Sequence, residues 1–295
     1  MDLPSTSFTR LAGYGALSVT GPDARVFLHA QLTNDLLELA ADRARIAGWC
    51  SAKGRLLASL VVIPHGDGFL LQLARDLAAP VARRLAMFIL RSKVKLHDAS
   101  GEWQQFGLWG AGARAQLSAL GFVLADAPLA VAAADDALAV QIDDGRFLLV
   151  AKAAPAFAGR EAPEHEWLLQ EIRAGRPLVV QATQDQFVPQ MANLELVGGV
   201  DFKKGCYPGQ EIVARAQYRG EVKRRMLRAA VDAAPAPGQE LFSSGGQASG
   251  SVLIGAPSPG GGFELLAVAQ RESGTLYLGA ADGPLLRPLP LPYAV

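Results

Sequence analysis

A chain of 295 residues that is 50% hydrophobic and 19% charged holds enough apolar material for two or three packed lobes. Its 28 basic and 28 acidic residues cancel, which excludes general charge-driven binding to nucleic acid or to an anionic membrane. Cys50 and Cys206 are far apart and belong to no CxxC or Cys/His grouping, which excludes a disulfide scaffold and a structural zinc site.

The first residues, MDLPSTSFTRLAGYGALSV, lack a basic start followed by an apolar run, so no signal peptide is expected. TGPDARVFLHAQ then predicts a helix, with Pro22 in its first turn and Val26, Phe27 and Ala30 on one face. GRLLASLVVI, GDG and FLLQLA predict a hairpin, because two apolar runs flank a tight turn. DLAAPVARRLAMFILRSKV predicts a helix with Val81, Leu85 and Phe88 at core spacing. Short strands are expected in VKLHD, EWQQFGLWG, ALAVQID and RFLLVA, with an Ala-rich helix around 112–120 among them. EHEWLLQEIRAG predicts a helix closed by Gly175. After residue 225 the texture becomes short apolar strands separated by Gly, Ser and Pro, as in a small sandwich or barrel. The expectation is an α+β body over residues 1–225, any internal division falling near 100–110, and a β-barrel over 226–295. No segment is apolar for long enough to span a bilayer, so the expected setting is a reducing cytoplasm with no membrane partner.

The segment KKGCYPGQEIVARAQ is the most informative in the chain. Pro208 and Gly209 predict a turn, and Gln210 onward supplies helix formers, with Glu211 suited to the first turn. Cys206 then stands just ahead of a helix N-terminus beside Lys203 and Lys204. The helix dipole and the two ammonium groups there favour thiolate over thiol. Gly205 allows close approach of a ligand. Two readings stay open: a reactive or ligand-facing thiol, and a buried small hydrophobe. The surrounding charge run, Lys203, Lys204, Arg215, Arg219, Lys223, Arg224, Arg225 and Arg228 against Glu211 and Glu221, is either a solvated face or an anion site. Thr33, Asn34 and Asp35 in QLTND and Lys53 and Arg55 in SAKGR are lesser candidates. His29, His65, His97 and His165 have no ligand-like spacing, so no metal site is expected, and Cys50 is expected to be buried and inert.

GGVDFKKGCYPGQEIVAR resembles the signature of the YgfZ family, folate-binding proteins related to the T protein (aminomethyltransferase) of the glycine cleavage system. The matching residues are Lys204, Gly205, Cys206, Tyr207, Gly209, Gln210 and Glu211. GPDARVFLHAQLTNDL, AKGRLLASLVVI, LRSKVKLHD, AGRPLV and FVPQMANLELVGG follow in the family's order, so the resemblance spans residues 10 to 230 and, more weakly, the β module. It implies a T-protein-like fold, a folate-binding body with a C-terminal β-barrel, and a ligand that is tetrahydrofolate or a one-carbon derivative. It assigns folate contacts to Trp167, Tyr14, Asn34, Lys204, Gln210, Glu211 and Arg219, and a functional thiol to Cys206. It further implies a role in assembling or maintaining iron–sulfur enzymes, including some that modify tRNA, with assembly or client proteins as partners and tRNA reached indirectly. The T protein carries an acidic pair where this chain has Ala58 and Ser59, neither of which can act as a base at neutral pH, so aminomethyl transfer is not expected. Two alternatives stand beside this reading: a one-carbon transferase using another base, and an RNA- or scaffold-docking protein acting through the basic segment 215–228.

Overall fold

The computed structural model describes residues 5–134, 136–218 and 222–295. By internal contacts the chain divides into two compact units. One comprises residues up to His29, Asp35–Arg45 and Leu60–Glu164; the other comprises Ala30–Asn34, Ile46–Ser59 and His165–Val295. The mixture of helices with antiparallel sheets is the α+β class expected.

In the first unit a six-stranded sheet runs in the order Arg160–Glu161, Ser7–Arg10, Gln104–Trp109, Arg146–Ala151, Ala137–Asp143, Val131–Ala134. All its pairings are antiparallel except that of the first two strands. Phe106, Leu108, Phe147 and Leu149 project from one face and pack with Leu117 of the helix Ala113–Ala119. A five-stranded sheet has the order Arg45–Cys50, Leu56–His65, Gly68–Ala74, Tyr14–Thr20, Lys95–Asp98. The predicted hairpin is present within it: His65 pairs with Gly68 across a two-residue turn, and Gly66 supplies the positive φ of +57° that such turns require. The strand Leu56–His65 carries the chain from one unit to the other, between Ser59 and Leu60.

Two helices correct their expected faces and lengths. The first runs Ala24–Gln31 and buries Ala24, Phe27 and Leu28, whereas Val26 is 62% exposed and Ala30 is exposed as well. The second covers Arg75–Ala86 and buries Leu77, Ala78, Val81, Ala82 and Leu85. It stops two residues before Phe88, which is 43% exposed, and the chain then turns away through Leu90 at a φ of +43°. Continuing apolar spacing had masked that stop.

In the second unit the C-terminal sheet is antiparallel throughout, in the order Leu276–Leu278, Glu240–Ser243, Ala248–Pro257, Phe263–Gln270, Arg224–Val231, Arg287–Leu289. The sheet curls, and both of its faces are apolar. Val252, Leu265 and Ala267 join Leu241 and Leu276 in its own interior. Their alternating neighbours Leu253, Leu266 and Val268 instead meet Leu169 and Ile172 of the helix Glu164–Arg173, together with Phe187. A sheet covered on both sides shows no polar alternation, which is why its strands read as unbroken apolar runs. The helix ends as expected at Gly175, at a φ of +64°. There the Arg176 N–H bonds to Glu171 O and the Gly175 N–H to Ile172 O, both at 3.0 Å.

One buried carboxylate joins this helix to the sheet. Glu264 is 5% exposed and accepts from Arg173 at 2.6 Å and from Arg228 at 2.6 Å. Burial alone would raise its pKa, but the two guanidinium donors outweigh that and hold it below the ordinary carboxylate range. A carboxyl depressed in the folded state adds stability above its unfolded pKa, and that stability is lost as pH falls through the folded pKa. Glu264→Gln is therefore expected to lower stability by about 2 kcal/mol at neutral pH, since it leaves two arginines unpaired. The gap to wild type should narrow on acidification below about pH 4. Urea titrations of both proteins across pH 3–7 check this, and a pH-independent gap would remove the ionic role.

Candidate functional site

The motif loop lies wholly in the second unit and is built by a series of backbone and side-chain clamps. Asp201 begins it: its Oδ1 accepts from the Lys203 N–H at 2.7 Å and the Lys204 N–H at 3.2 Å, closing a tight turn. Its own N–H bonds to Thr33 O at 2.9 Å. Lys204 then runs inward, 7% exposed, and donates from Nζ to Leu32 O at 2.6 Å with the Tyr207 ring centroid 4.9 Å away. A carbonyl and an aromatic face are the partners that make a buried ammonium tolerable. Tyr207 is also buried, and burial together with the nearby Cys50 pushes its phenol pKa up.

Gly209 fixes the exit from the loop. It has a φ of +77°, and a Cβ there would meet Ser51 O at 2.4 Å and Gly54 N at 2.5 Å. The helix Gln210–Tyr218 follows, as the Pro-Gly turn predicted, with its first bonds from Ile212 N–H to Gly209 O at 3.1 Å and from Val213 N–H to Gly209 O at 3.3 Å. Val213 is its one buried residue, and Gln190 Nε2 donates to Val213 O at 2.7 Å.

Between these anchors Cys206 is exposed. Its neighbours Lys204 and Tyr207 point into the protein, so the thiol is presented outward on a loop held from both sides. Of the two readings of this cysteine, the buried hydrophobe is set aside. Cys50 has the opposite environment: it is buried as expected, and burial and, secondarily, the charge of Asp185 push its thiol pKa far up.

Thr33 and Asn34 hold the scaffold beneath the loop. Thr33 Oγ1 donates to Gly199 O at 2.6 Å and accepts from the Gly48 N–H at 2.7 Å. Asn34 Nδ2 donates to Ile46 O and to Gly198 O, both at 2.7 Å. Sequence reasoning passed over Asp201, and it named Thr33 and Tyr207 without their part in building the loop. The Asp-x-Lys-Lys spacing of a side-chain-closed turn was the available signal for the first of these.

The other assigned folate residues are scattered in character. Trp167 is 2% exposed, its ring covered by protein on the helix Glu164–Arg173. Gln210 is half-buried and Glu211 exposed in the first turn of the motif helix. Tyr14 belongs to the first unit, where its hydroxyl oxygen is enclosed. Arg219 lies outside the described residues. Ala58 is fully buried, and Ser59 is occupied as a hydrogen-bond acceptor, taking the Val179 N–H on its Oγ at 3.0 Å. The strand Leu56–His65 carries no carboxylate at all.

Comparison with known proteins decides the family. The GCVT N-terminal domain model matches residues 9–128. The tRNA-modifying protein YgfZ of Edwardsiella ictaluri is 36% identical, over 92% of this chain and 86% of its own. The chain belongs to the YgfZ family. The YgfZ protein of Klebsiella pneumoniae agrees, at 32% identity over 99% of this chain and 94% of its own. The glycine cleavage system aminomethyltransferase T of Bartonella henselae, only 14% identical, superposes with a TM-score of 0.71 over 97% of this chain and 85% of that one. The T-protein fold expected from the motif is therefore the fold of this YgfZ-family chain. Among its described residues no helix is long and apolar enough to cross a membrane.

Gly209→Ala tests the loop's construction. A methyl group at this φ is strained and collides with backbone, so a loss of at least about 2 kcal/mol is expected. A denaturant midpoint equal to that of wild type would show that the Ser51–Gly54 contact does not hold the motif.

Proposed function

We propose that this YgfZ-family protein is a folate-binding factor that supports tRNA modification by helping to assemble or maintain iron–sulfur enzymes, with Cys206 as its functional thiol. The observation that carries the reading is the presentation of Cys206: an exposed sulfur on a loop pinned by the buried Lys204, the buried Tyr207 and the constrained Gly209. A cysteine that served packing would not be turned outward by buried neighbours on both sides. A single exposed thiol supplies one of the ligands that an iron–sulfur cluster takes, so any handling of a cluster is shared with a client protein. The names of the YgfZ relatives point to tRNA modification. The T-protein fold and the GCVT domain match favour a folate ligand, and tetrahydrofolate or a one-carbon derivative is the form proposed.

The residues fit such a ligand in part. Gln210 and Glu211 offer amide and carboxylate groups near the loop, suited to the polar edge of a pterin. Lys204 and Asn34 already bind backbone carbonyls, which makes them positioning residues for the loop. Stacking on Trp167 requires its covered ring to become accessible. The absence of a carboxylate from the strand Leu56–His65, with Ser59 already hydrogen-bonded, argues against aminomethyl transfer and against the one-carbon transferase alternative.

Cys206→Ser is expected to leave the melting temperature unchanged and to abolish the in-cell function, because a serine hydroxyl is neither a comparable nucleophile nor a soft metal ligand. The readout is the modified-nucleoside content of bulk tRNA in cells whose own copy has been deleted; full complementation by the serine variant overturns the thiol role. Tetrahydrofolate should quench the tryptophan fluorescence saturably, with a weaker effect in Trp167→Phe. Undiminished quenching in that variant removes Trp167 from the site, and no binding of any reduced folate removes the folate.

A further inference from the structure

The fold sorts the basic run 203–228 into two groups. Arg225 donates to Gln190 O at 2.8 Å and pairs with Glu195, Arg228 is bound to Glu264, and Lys204 is buried. Lys203, Arg215, Lys223 and Arg224 are exposed, and among the described residues no carboxylate lies within ion-pair distance of any of them. A residue from far along the chain joins them. Arg224 pairs in register with Gln270, and the Arg271 N–H bonds to Lys223 O at 2.9 Å. Lys223, Arg224 and Arg271 thereby border one open cleft of about 480 Å³, which they share with Gln270 and Glu272.

A second cleft, of about 590 Å³, lies along the motif helix on Glu211, Ala214, Arg215 and Tyr218, whose spacing places them on one helical face. Tyr218 is 68% exposed, and its ring stands edge-on to Phe202 with centroids 6.1 Å apart. Lys223 follows Tyr218 by five positions, so the chain holds them within about 18 Å of each other. Cys206 stands at the other end of the same helix, just before Gln210.

Four exposed cations, Arg215, Lys223, Arg224 and Arg271, have no ion-pair partner among the described residues and stand against Glu272 in one cleft and Glu211 in the other. That arrangement suits an extended polyanion better than a small anion, which would call for converging donors. An accessible aromatic face between such cations is what an unstacked base uses. The remaining exposed aliphatic residue of the helix, Ile212, leans on Gly54, which leaves little apolar surface for a bilayer. We infer that the face formed by Arg215, Tyr218, Lys223, Arg224 and Arg271 docks a single-stranded segment of RNA, such as the loop of a folded RNA, and lays it alongside the helix that begins at the Cys206 loop. This rests on the reading that the protein acts in tRNA modification and adds a direct contact to it.

Fluorescence anisotropy with the full chain tests it, using two labelled probes: a twelve-nucleotide oligouridylate and a transcribed tRNA anticodon stem-loop. Wild type should bind both saturably. Arg224→Glu with Arg271→Glu should weaken binding at least tenfold at unchanged melting temperature. The slope of log affinity against log salt should shrink by about 1.4, at roughly 0.7 for each lost phosphate contact on a single strand. Tyr218→Ala should weaken binding several-fold without changing that slope. No binding by wild type, or wild-type binding by the double variant, overturns the inference; so does Tyr218→Ala without effect, which would mark simple ion exchange. Cys206→Ser should bind RNA normally. RNA binding absent while Cys206→Ser still abolishes tRNA modification defeats this inference alone, whereas RNA binding intact with full complementation by Cys206→Ser defeats the thiol reading alone.

Discussion

The geometry of the site depends on three consecutive residues that lie about 170 positions before it in the chain. Leu32 O receives the buried Lys204 ammonium, Thr33 binds Gly48, Gly199 and Asp201, and Asn34 bridges Ile46 and Gly198. The contacts to Leu32, Gly48 and Gly199 satisfy backbone groups in buried residues, so the loop and its support stabilise one another. The Lys204 contact is the most demanding, because an ammonium withdrawn from water has to be compensated at one spot. A slip of the loop by one residue would strand that charge. The exposure of Cys206 is thus the complement of Lys204 burial: the chain turns the lysine in and the next side chain but one out.

The same arrangement separates the two cysteines chemically. Cys50 ends the strand Arg45–Cys50 with its thiol sealed from water, in the interior close to Tyr207. Cys206, the residue immediately before that tyrosine, is open to solvent. One residue type is therefore packed into the interior once and turned to solvent once, and Tyr207, next to the exposed one, is a buried aromatic. Removing bulk at Tyr207 would affect both the interior beside Cys50 and the seat of Lys204, so the motif tyrosine is coupled to its lysine through packing as well as through the cation–π contact.

Much of this was legible in the sequence where the rule involved is local. The Pro208–Gly209 turn and the helix after it, the hairpin across Gly66–Asp67, and the cap at Gly175 each depend on a backbone conformation that a few neighbouring residues specify. Long-range partners were not legible. That Arg228 belongs to Glu264, while Arg271 joins Lys223 and Arg224, follows from the pairing of the strands Arg224–Val231 and Phe263–Gln270, and Arg225 is taken by Glu195 from outside both strands. The charge run, read along the chain, therefore grouped residues that the fold divides and missed one that it recruits. The helix at Arg75–Ala86 failed differently: apolar spacing persisted to Phe88, but spacing alone does not say where the core ends. Asn34 and Lys204 were picked out as folate contacts. Their amide and ammonium groups, however, bind backbone carbonyls, a use that residue type does not reveal.

The T-protein fold and the missing strand carboxylate belong together in this picture. The strand Leu56–His65 is retained as architecture: Ala58 is packed, Ser59 caps the Val179 N–H, and Leu57 O accepts from Gln184 Nε2 at 2.8 Å. Each contact fixes the strand, and none leaves a group able to take a proton from a substrate. An exposed thiol is instead displayed just before the motif helix, on a loop anchored both locally by Asp201 and remotely by Leu32 and Ser51. A fold constrains where a strand and a loop can be, and leaves open which of them carries the chemistry. Here the buried strand supplies rigidity and the clamped loop presents the exposed thiol, so substitutions in the strand and at the loop's anchors, Gly209 among them, should act through stability.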